Sequence, residues 1–408
     1  MSKLLIDNAS LVAPGEFRRS GSVLVDAGKI AEIDPDPRTL DPSCQKFDAG
    51  GAVLTPGLID IHTHAIGQYH YEGGPASLLE AAAILPRYGA TCAFPTLYAL
   101  QDATVLEPLE QLASALDRTR GAVLPGLHLE GPFLKLPGAG AATLPGDVGF
   151  LEELLGAARG RVAAMSISPD TENILPVIER LRADGVRVFL THTRASPEQT
   201  EAAIAAGAVH ATHFYDVFPV PEETDPGVRP VGAVEVVLGD ARCSVDFICD
   251  GVHVHPAAIR AALAAKGWEK VIAITDANIG AGLPDGRYET PWGYPIEVSR
   301  KSAARVASAD GAARHPPAGS LAGSALTMDV AMENLHHWLD LESHKICAMG
   351  SLNPASLMGL SSKGRLCVGA DADLVLWKDS PDAWRVQRTW VAGACVFDAD
   401  EKHALEDL

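Results

Sequence analysis

Positive charge is scarce in this sequence: 33 Lys and Arg stand against 52 Asp and Glu, a formal net charge of -19. A chain of that sign repels a phosphate polymer, which excludes nucleic acid as an expected partner. A small anion is not excluded, because a metal ion or a few local cations can dominate a cleft. The seven Cys (Cys44, Cys92, Cys243, Cys249, Cys347, Cys367 and Cys395) form no C-x-x-C pair and no disulfide framework, so a reducing, cytoplasmic setting is expected. No uninterrupted apolar run approaches the ~20 residues of a membrane span. The first eight residues lack the apolar stretch of a signal peptide. The expectation is a chain without membrane contact.

What the sequence does contain is a rhythm. Of its 408 residues 47% are hydrophobic and 21% charged, the balance of an ordered globular protein. Short β-branched runs alternate with Ala- and Leu-rich stretches, the pattern of repeated βα units and a parallel sheet. Strands are expected at residues 53–64, 91–97, 123–130, 162–168, 186–192, 209–214, 245–249 and 271–276. Helices are expected at 76–88, 105–117, 151–158, 173–183, 197–206 and 256–265. Eight units predict an α/β fold, a closed (β/α)8 barrel of roughly 250 residues, with chain left for a smaller companion. Strand-like segments at 4–12, 21–33, 364–377 and 386–397 predict one small β-sandwich domain built from both ends. The expected division is residues 1–54 plus 355–408 for that domain and 55–354 for the barrel. Residues 219–230 and 314–319 read as loops, and 287–306 as a hairpin inserted after the eighth strand.

In such a barrel the active site lies at the C-terminal ends of the strands, so polar residues there carry extra weight. The first strand ends Asp60-Ile61-His62-Thr63-His64, and period-two alternation turns both histidines to one side, where they can chelate an ion. An H-x-H alone is weak. The third strand ends His128-Leu129-Glu130. A carboxylate buried there needs a cation, either a metal or an Arg or Lys. His128 shares its alternation and is read as packed behind the site. The fifth and sixth strands end at His192 and His213, and repetition at successive strand ends argues for metal ligation over isolated structural histidines. His210 is expected deeper in the barrel. The seventh leads into Asp250-Gly251-Val252-His253, and the eighth ends Thr275-Asp276, where an Asp can act as general base or cap a helix. His253 is either a substrate contact or a loop histidine.

Together these residues resemble the amidohydrolase superfamily. Closer motifs are similar to its N-acetylglucosamine-6-phosphate deacetylase branch: His128-Leu129-Glu130-Gly131-Pro132-Phe133, Asp250-Gly251-Val252-His253-Val254 and Leu321-Ala322-Gly323-Ser324. Pro56-Gly57, Ala211-Thr212-His213, Thr275-Asp276-Ala277, Asn353-Pro354-Ala355 and Ala372-Asp373-Leu374 extend the likeness over nearly the whole chain. The resemblance implies one or two divalent ions, Zn suiting the donors best and Fe or Mn also fitting. Glu130, His192 and His213 would hold one ion, and His62, His64 and Asp276 another. It implies hydrolysis of an amide: water acidified by the ion gives its proton to Asp276 and attacks the carbonyl, Asp276 then protonates the leaving amine, and His253 contacts the sugar. The fourth strand, Ala163-Ala164-Met165-Ser166-Ile167-Ser168, has no Lys, which sets the chain apart from the carboxylated-lysine subtype of dihydroorotases and hydantoinases. A homodimer is implied as well.

The substrate loops depart from the branch. After Phe133 the family offers a Gly-x-His, but here Pro137-Gly138-Ala139-Gly140-Ala141-Ala142 has no His. After the Thr-His of the sixth strand it offers Asn-Ala, where this chain has Asp216-Val217, and Arg229 is displaced from the place of a phosphate-binding Arg. Asp216, Val217, Arg229 and His253 are therefore the candidate substrate contacts, and a 6-phosphate requirement is doubtful. The expectation is deacetylation of an N-acetyl amino sugar. The alternatives are an amidohydrolase acting on an N-acyl amino acid or cyclic amide, and a barrel that binds a ligand without turnover.

Overall fold

The computed structural model describes residues 3–17, 20–138, 141–299, 303–307, 317–378 and 384–401. Eight parallel strands follow one another in chain order around a (β/α)8 barrel: Leu58–Thr63, Ala90–Leu97, Leu127–Glu130, Val162–Ile167, Arg187–Leu190, Ala208–Ala211, Ser244–Ile248 and Val271–Ile274. The first and eighth meet at their C-terminal ends, where Asp276 N donates to His62 O (2.9 Å) and His64 N to Ala277 O (2.8 Å). Helices cover the outside. The helix Pro197–Ala206 shows why its sequence is helical: Ser196 accepts from Gln199 N while the Gln199 side chain returns to Ser196 N, with Pro197 at the first turn.

Both chain ends build the second sheet. Leu374–Lys378 pairs antiparallel with Val53–Pro56, which pairs parallel with Leu4–Ala13, and Arg385–Val391 and Ala394–Asp398 extend the sheet on the other flank. Ile6, Leu11, Val23, Ile30, Leu54, Leu374 and Leu376 are buried together as its core. The segment expected as one strand over 53–64 is in fact two, one in each sheet. The change falls at Gly57, whose N donates to Asp373 O at 2.8 Å. A Cβ at Gly57 would lie 2.0 Å from Thr91 Oγ1 and 2.4 Å from Thr91 Cγ2, so only glycine lets the chain pass between the sheets there.

The insertion after the eighth strand is a three-stranded antiparallel sheet, Gly286–Tyr288, Ile296–Ser299 and Ala303–Val306, where the sequence suggested a hairpin. Trp292 Nε1 donates to Tyr98 OH (3.0 Å), which ties the insertion to the mouth of the barrel. Helices Ala233–Gly239, Met328–Trp338, Ser343–Gly350 and Leu352–Met358 were not anticipated. Residues 314–316 of the expected loop, and Ala139 and Gly140, lie outside the described residues.

Gly57→Ala is expected to lower stability by about 1–3 kcal/mol through overpacking against Thr91. The urea midpoint should fall, and Thr91→Ala in the same chain should recover part of the loss. An unchanged midpoint in the single variant rejects this account of the joint.

Candidate metal centre

The strand ends deliver six polar side chains to one point. His62 and His64 close the first strand, Glu130 ends the third, and His192, His213 and Asp276 lie just past the fifth, sixth and eighth. At His192 (φ 49°), His213 (φ 33°) and Asp276 (φ 46°) the backbone enters the left-handed region, at about 1–3 kcal/mol each for residues with a Cβ. That turn swings the side chain out of the strand's alternation and over the mouth. Asp276 is fixed there because Ser324 N donates to its carbonyl at 3.1 Å.

Glu130 sits at the centre. Its Oε1 is 3.0 Å from His213 Nε2 and 3.3 Å from His192 Nε2, while Oε2 is 3.4 Å from His64 Nε2 and 3.7 Å from His62 Nε2. Asp276 Oδ1 lies 3.0 Å from His64 Nε2 and 3.4 Å from His62 Nε2. Ligand atoms of His62, Glu130 and His213, and again of His62, His64 and Asp276, fall within 4.8 Å of one another. The carboxylate thus offers one oxygen to each half.

The back of the cluster orients it. His64 Nδ1 donates to Thr96 O (3.0 Å) and His192 Nδ1 to Leu136 O (3.1 Å), which turns each Nε2 inward. Thr212 gives its hydroxyl proton to Asp246 (2.9 Å), so it accepts from His62 Nδ1 at 2.9 Å. Asp246 also accepts from His213 N (2.5 Å) and pairs with His210 Nε2 (2.7 Å). One buried carboxylate therefore steadies ligands of both halves. His128 is packed behind them, bonded to Ile61 O (3.0 Å) and Ser166 Oγ (2.7 Å), the latter on the fourth strand. Imidazole nitrogens brought this close to one another, with two carboxylates between them, fit a divalent cation.

Without a metal, protons take the cation's place. Burial works against charge on His64, but its bond to Asp276 and the charges of Asp276 and Glu130 raise it to about 9. Burial likewise opposes charge on His213, and Glu130 lifts it to about 10. Burial pushes the two carboxyls up, yet the imidazoles win: Glu130 is held well below its ordinary value and Asp276 at about 2. The sign for stability follows. The histidines stabilise the metal-free fold fully below about pH 6.5, a contribution lost as pH rises through 9 to 10. The carboxylates contribute above about pH 4.5, and that is lost as pH falls toward 2.

A cavity of about 210 Å³ opens over the cluster, lined by His64, Glu130, His192, His213, His253 and Asp276 among others. Asp216 and Val217 also line it. Asp250 accepts from His253 Nδ1 at 2.6 Å; burial lowers the pKa of that imidazole but Asp250 raises it further, which favours the charged ring with both nitrogens protonated. Arg229 is not brought to the cleft: its side chain is 74% exposed and bonds Glu235 at 2.6 Å. Tyr98, Asn278, Leu321 and Gly323 line the cavity and were not among the candidates. Tyr98 immediately follows the second strand, so the strand-end rule that found the histidines reaches it too.

The amidohydrolase family matches residues 53–396. The chain belongs to that family. It is 30% identical over 384 residues to an N-acetylglucosamine-6-phosphate deacetylase of Bacillus subtilis (strain 168), covering 91% of this chain and 92% of the relative. It is equally 30% identical over 373 residues to an N-acetylgalactosamine-6-phosphate deacetylase of Escherichia coli O157:H7, with 90% and 92% covered. A solved structure of a variant N-acetyl-D-glucosamine-6-phosphate deacetylase from Mycobacterium smegmatis, in complex with N-acetyl-D-glucosamine-6-phosphate, aligns with a TM-score of 0.83 at 28% identity over 97% of this chain and 100% of that one.

In this amidohydrolase several shared motifs do structural work. Ser324 of Leu321-Ala322-Gly323-Ser324 donates to Thr275 O (2.5 Å) and braces Asp276. Asn353 donates to Val271 O (2.9 Å) and Trp268 O (2.7 Å), so it caps the far end of the eighth strand. Asp373 joins the sheets through Gly57 N and pairs with Lys363 Nζ (2.5 Å).

Because His64 and His213 hold protons up to about pH 9 and 10, a divalent ion must displace them. Loading metal-free protein at pH 7.5 in weak buffer should release protons, and apparent affinity should rise with pH. Calorimetry in buffers of differing ionisation enthalpy measures this. Binding without proton release would contradict the arrangement.

Proposed function

We propose that this chain is a metal-dependent hydrolase that removes the acetyl group from an N-acetylated amino sugar. The observation that carries the reading is the meeting of Glu130, four imidazoles and Asp276 under a cleft, in an amidohydrolase similar over nine-tenths of its length to deacetylases of amino sugars. In this reading Glu130, His192 and His213 hold one ion and His62, His64 and Asp276 a second. Zn is the ion the imidazole and carboxylate donors suit best, with Fe and Mn also accommodated.

When bound, the ion supplies an acidified water and polarises the amide carbonyl. Asp276, ionised at neutral pH, would accept a proton from the attacking water and return it to the leaving nitrogen, so that the amide and water become acetic acid and an amine, which separate at neutral pH as acetate and ammonium. His253, held by Asp250, donates from Nε2 to the oxygen on which charge develops. An N-acyl amino acid or a cyclic amide is the second reading, with less in its favour because the similar proteins are named for amino sugars. A cytoplasmic setting accords with seven free cysteines, five of them buried. Among the described residues no helix is long and apolar enough to cross a membrane.

Elemental analysis of the purified protein should find one or two divalent ions per chain, and full amidase activity in metal-free protein would sink the mechanism. Asp276→Asn should keep the fold while kcat falls by about 10²- to 10⁴-fold. Retention of more than roughly a tenth of the activity would remove Asp276 as the principal base.

The proposal extends to a homodimer. Static light scattering should return twice the chain mass of 42.9 kDa, and a monomer at assay concentration would reject it.

A further inference from the structure

The similar proteins are named for 6-phosphorylated sugars, and a phosphate is recognised by cationic or N–H donors. The basic side chains lining the cleft of this chain are imidazoles, His64, His192, His213 and His253. Asp216, Glu130 and Asp276 line it, and among its described lining residues there is no Lys or Arg. Arg229 is turned to solvent with its charge already matched by Glu235.

Asp216 is presented by a clamped segment. Positive φ angles at His213 (33°), Tyr215 (77°) and Val217 (52°) fold the chain after the sixth strand into a tight series of turns. Asp216 N donates to His213 O (2.8 Å), Phe214 N to Asp246 O (2.9 Å), and Thr193 N to Val217 O (3.2 Å). The ring of Tyr215 stacks on Phe247 at 6.0 Å. Backbone held in sparsely populated conformations is retained where its surroundings over-determine it, and here the result is a carboxylate set at the rim of the cleft. Among the described residues no side chain or backbone N–H donates to that carboxylate.

Resting on the deacetylase reading, we propose that Asp216 is the specificity-determining residue of the cleft. It accepts a hydrogen bond from a hydroxyl of an unphosphorylated N-acetyl amino sugar, and it repels the 6-phosphorylated form. A like charge is an effective way to discriminate between two substrates that share the reacting group, because the reacting half binds identically in both. The discrimination lies in the part of the sugar remote from the acetamide, so it enters chiefly through KM.

The test is kcat/KM for N-acetylglucosamine, N-acetylgalactosamine and their 6-phosphates, measured on metal-loaded wild type, Asp216→Asn and Asp216→Ala, with metal content confirmed for each. Wild type should favour an unphosphorylated sugar by roughly tenfold or more, the scale of one charged contact. Asp216→Asn should narrow that ratio by a similar factor through a lower KM for the phosphorylated sugar. Asp216→Ala should also lose efficiency on the unphosphorylated one. A wild-type preference for a 6-phosphate, or a ratio unmoved by Asp216→Asn, overturns the proposal while leaving the deacetylase reading in place. Turnover of N-acetyl amino acids with none of either sugar form would instead overturn that reading, and this inference with it.

Discussion

The structure is organised around one buried negative charge. Glu130 is 6% exposed and, among the described residues, has no ion pair with Lys or Arg; what surrounds it is imidazole. A carboxylate removed from water in this way is costly unless a cation compensates it. Everything near it serves that compensation: four histidines aim Nε2 inward, their Nδ1 atoms are engaged from behind, and Asp276 adds a second acceptor. The site is neutral only with cations in it, whether protons or a metal. This makes the centre of the barrel both its least self-sufficient region and its most reactive one.

A second carboxylate–imidazole pair lies one layer down. Asp246 and His210 are fully buried and bonded to each other, where barrels of this type usually hold branched apolar side chains. Their location explains the exception. Asp246 reaches Thr212 and the His213 backbone, and through Thr212 it touches His62, so ligands of the two halves share one anchor. A shift of the seventh strand would move both halves together.

The barrel was legible in the sequence because strand hydrophobicity has a short period and the strands recur. The cluster was legible because His62, His64, Glu130, His192, His213 and Asp276 all fall where such strands stop. Three things were hidden. The switch between sheets at Gly57 breaks no apolar pattern, since Val53 to Thr63 reads as one run, and only the contact with Thr91 shows why the chain divides there. The helices after residue 320 do not alternate with strands, so the βα rhythm carried no expectation for them. Arg229 looked close to a substrate position by count alone, but a residue in a long loop is placed by its partners, and Glu235 holds it at the surface. Asn278 and Leu321 share a related difficulty, for a cavity wall is a property of several loops at once.

The ligands are also spread along the chain, from His62 on the first strand to Asp276 past the eighth, and the seam that closes the barrel runs between those two strands. A chain emerging from the ribosome exposes the H-x-H pair long before Glu130, His192, His213 or Asp276 can join it. Two imidazoles alone are a weak and unselective chelator, so an ion met early is as easily lost. In the proposed metal reading, selection of the ion belongs to the closed barrel, after residue 276 has been made and has docked on the first strand. The choice of ion is thereby set by what the folded protein encounters, at a time when all six ligands compete for it together.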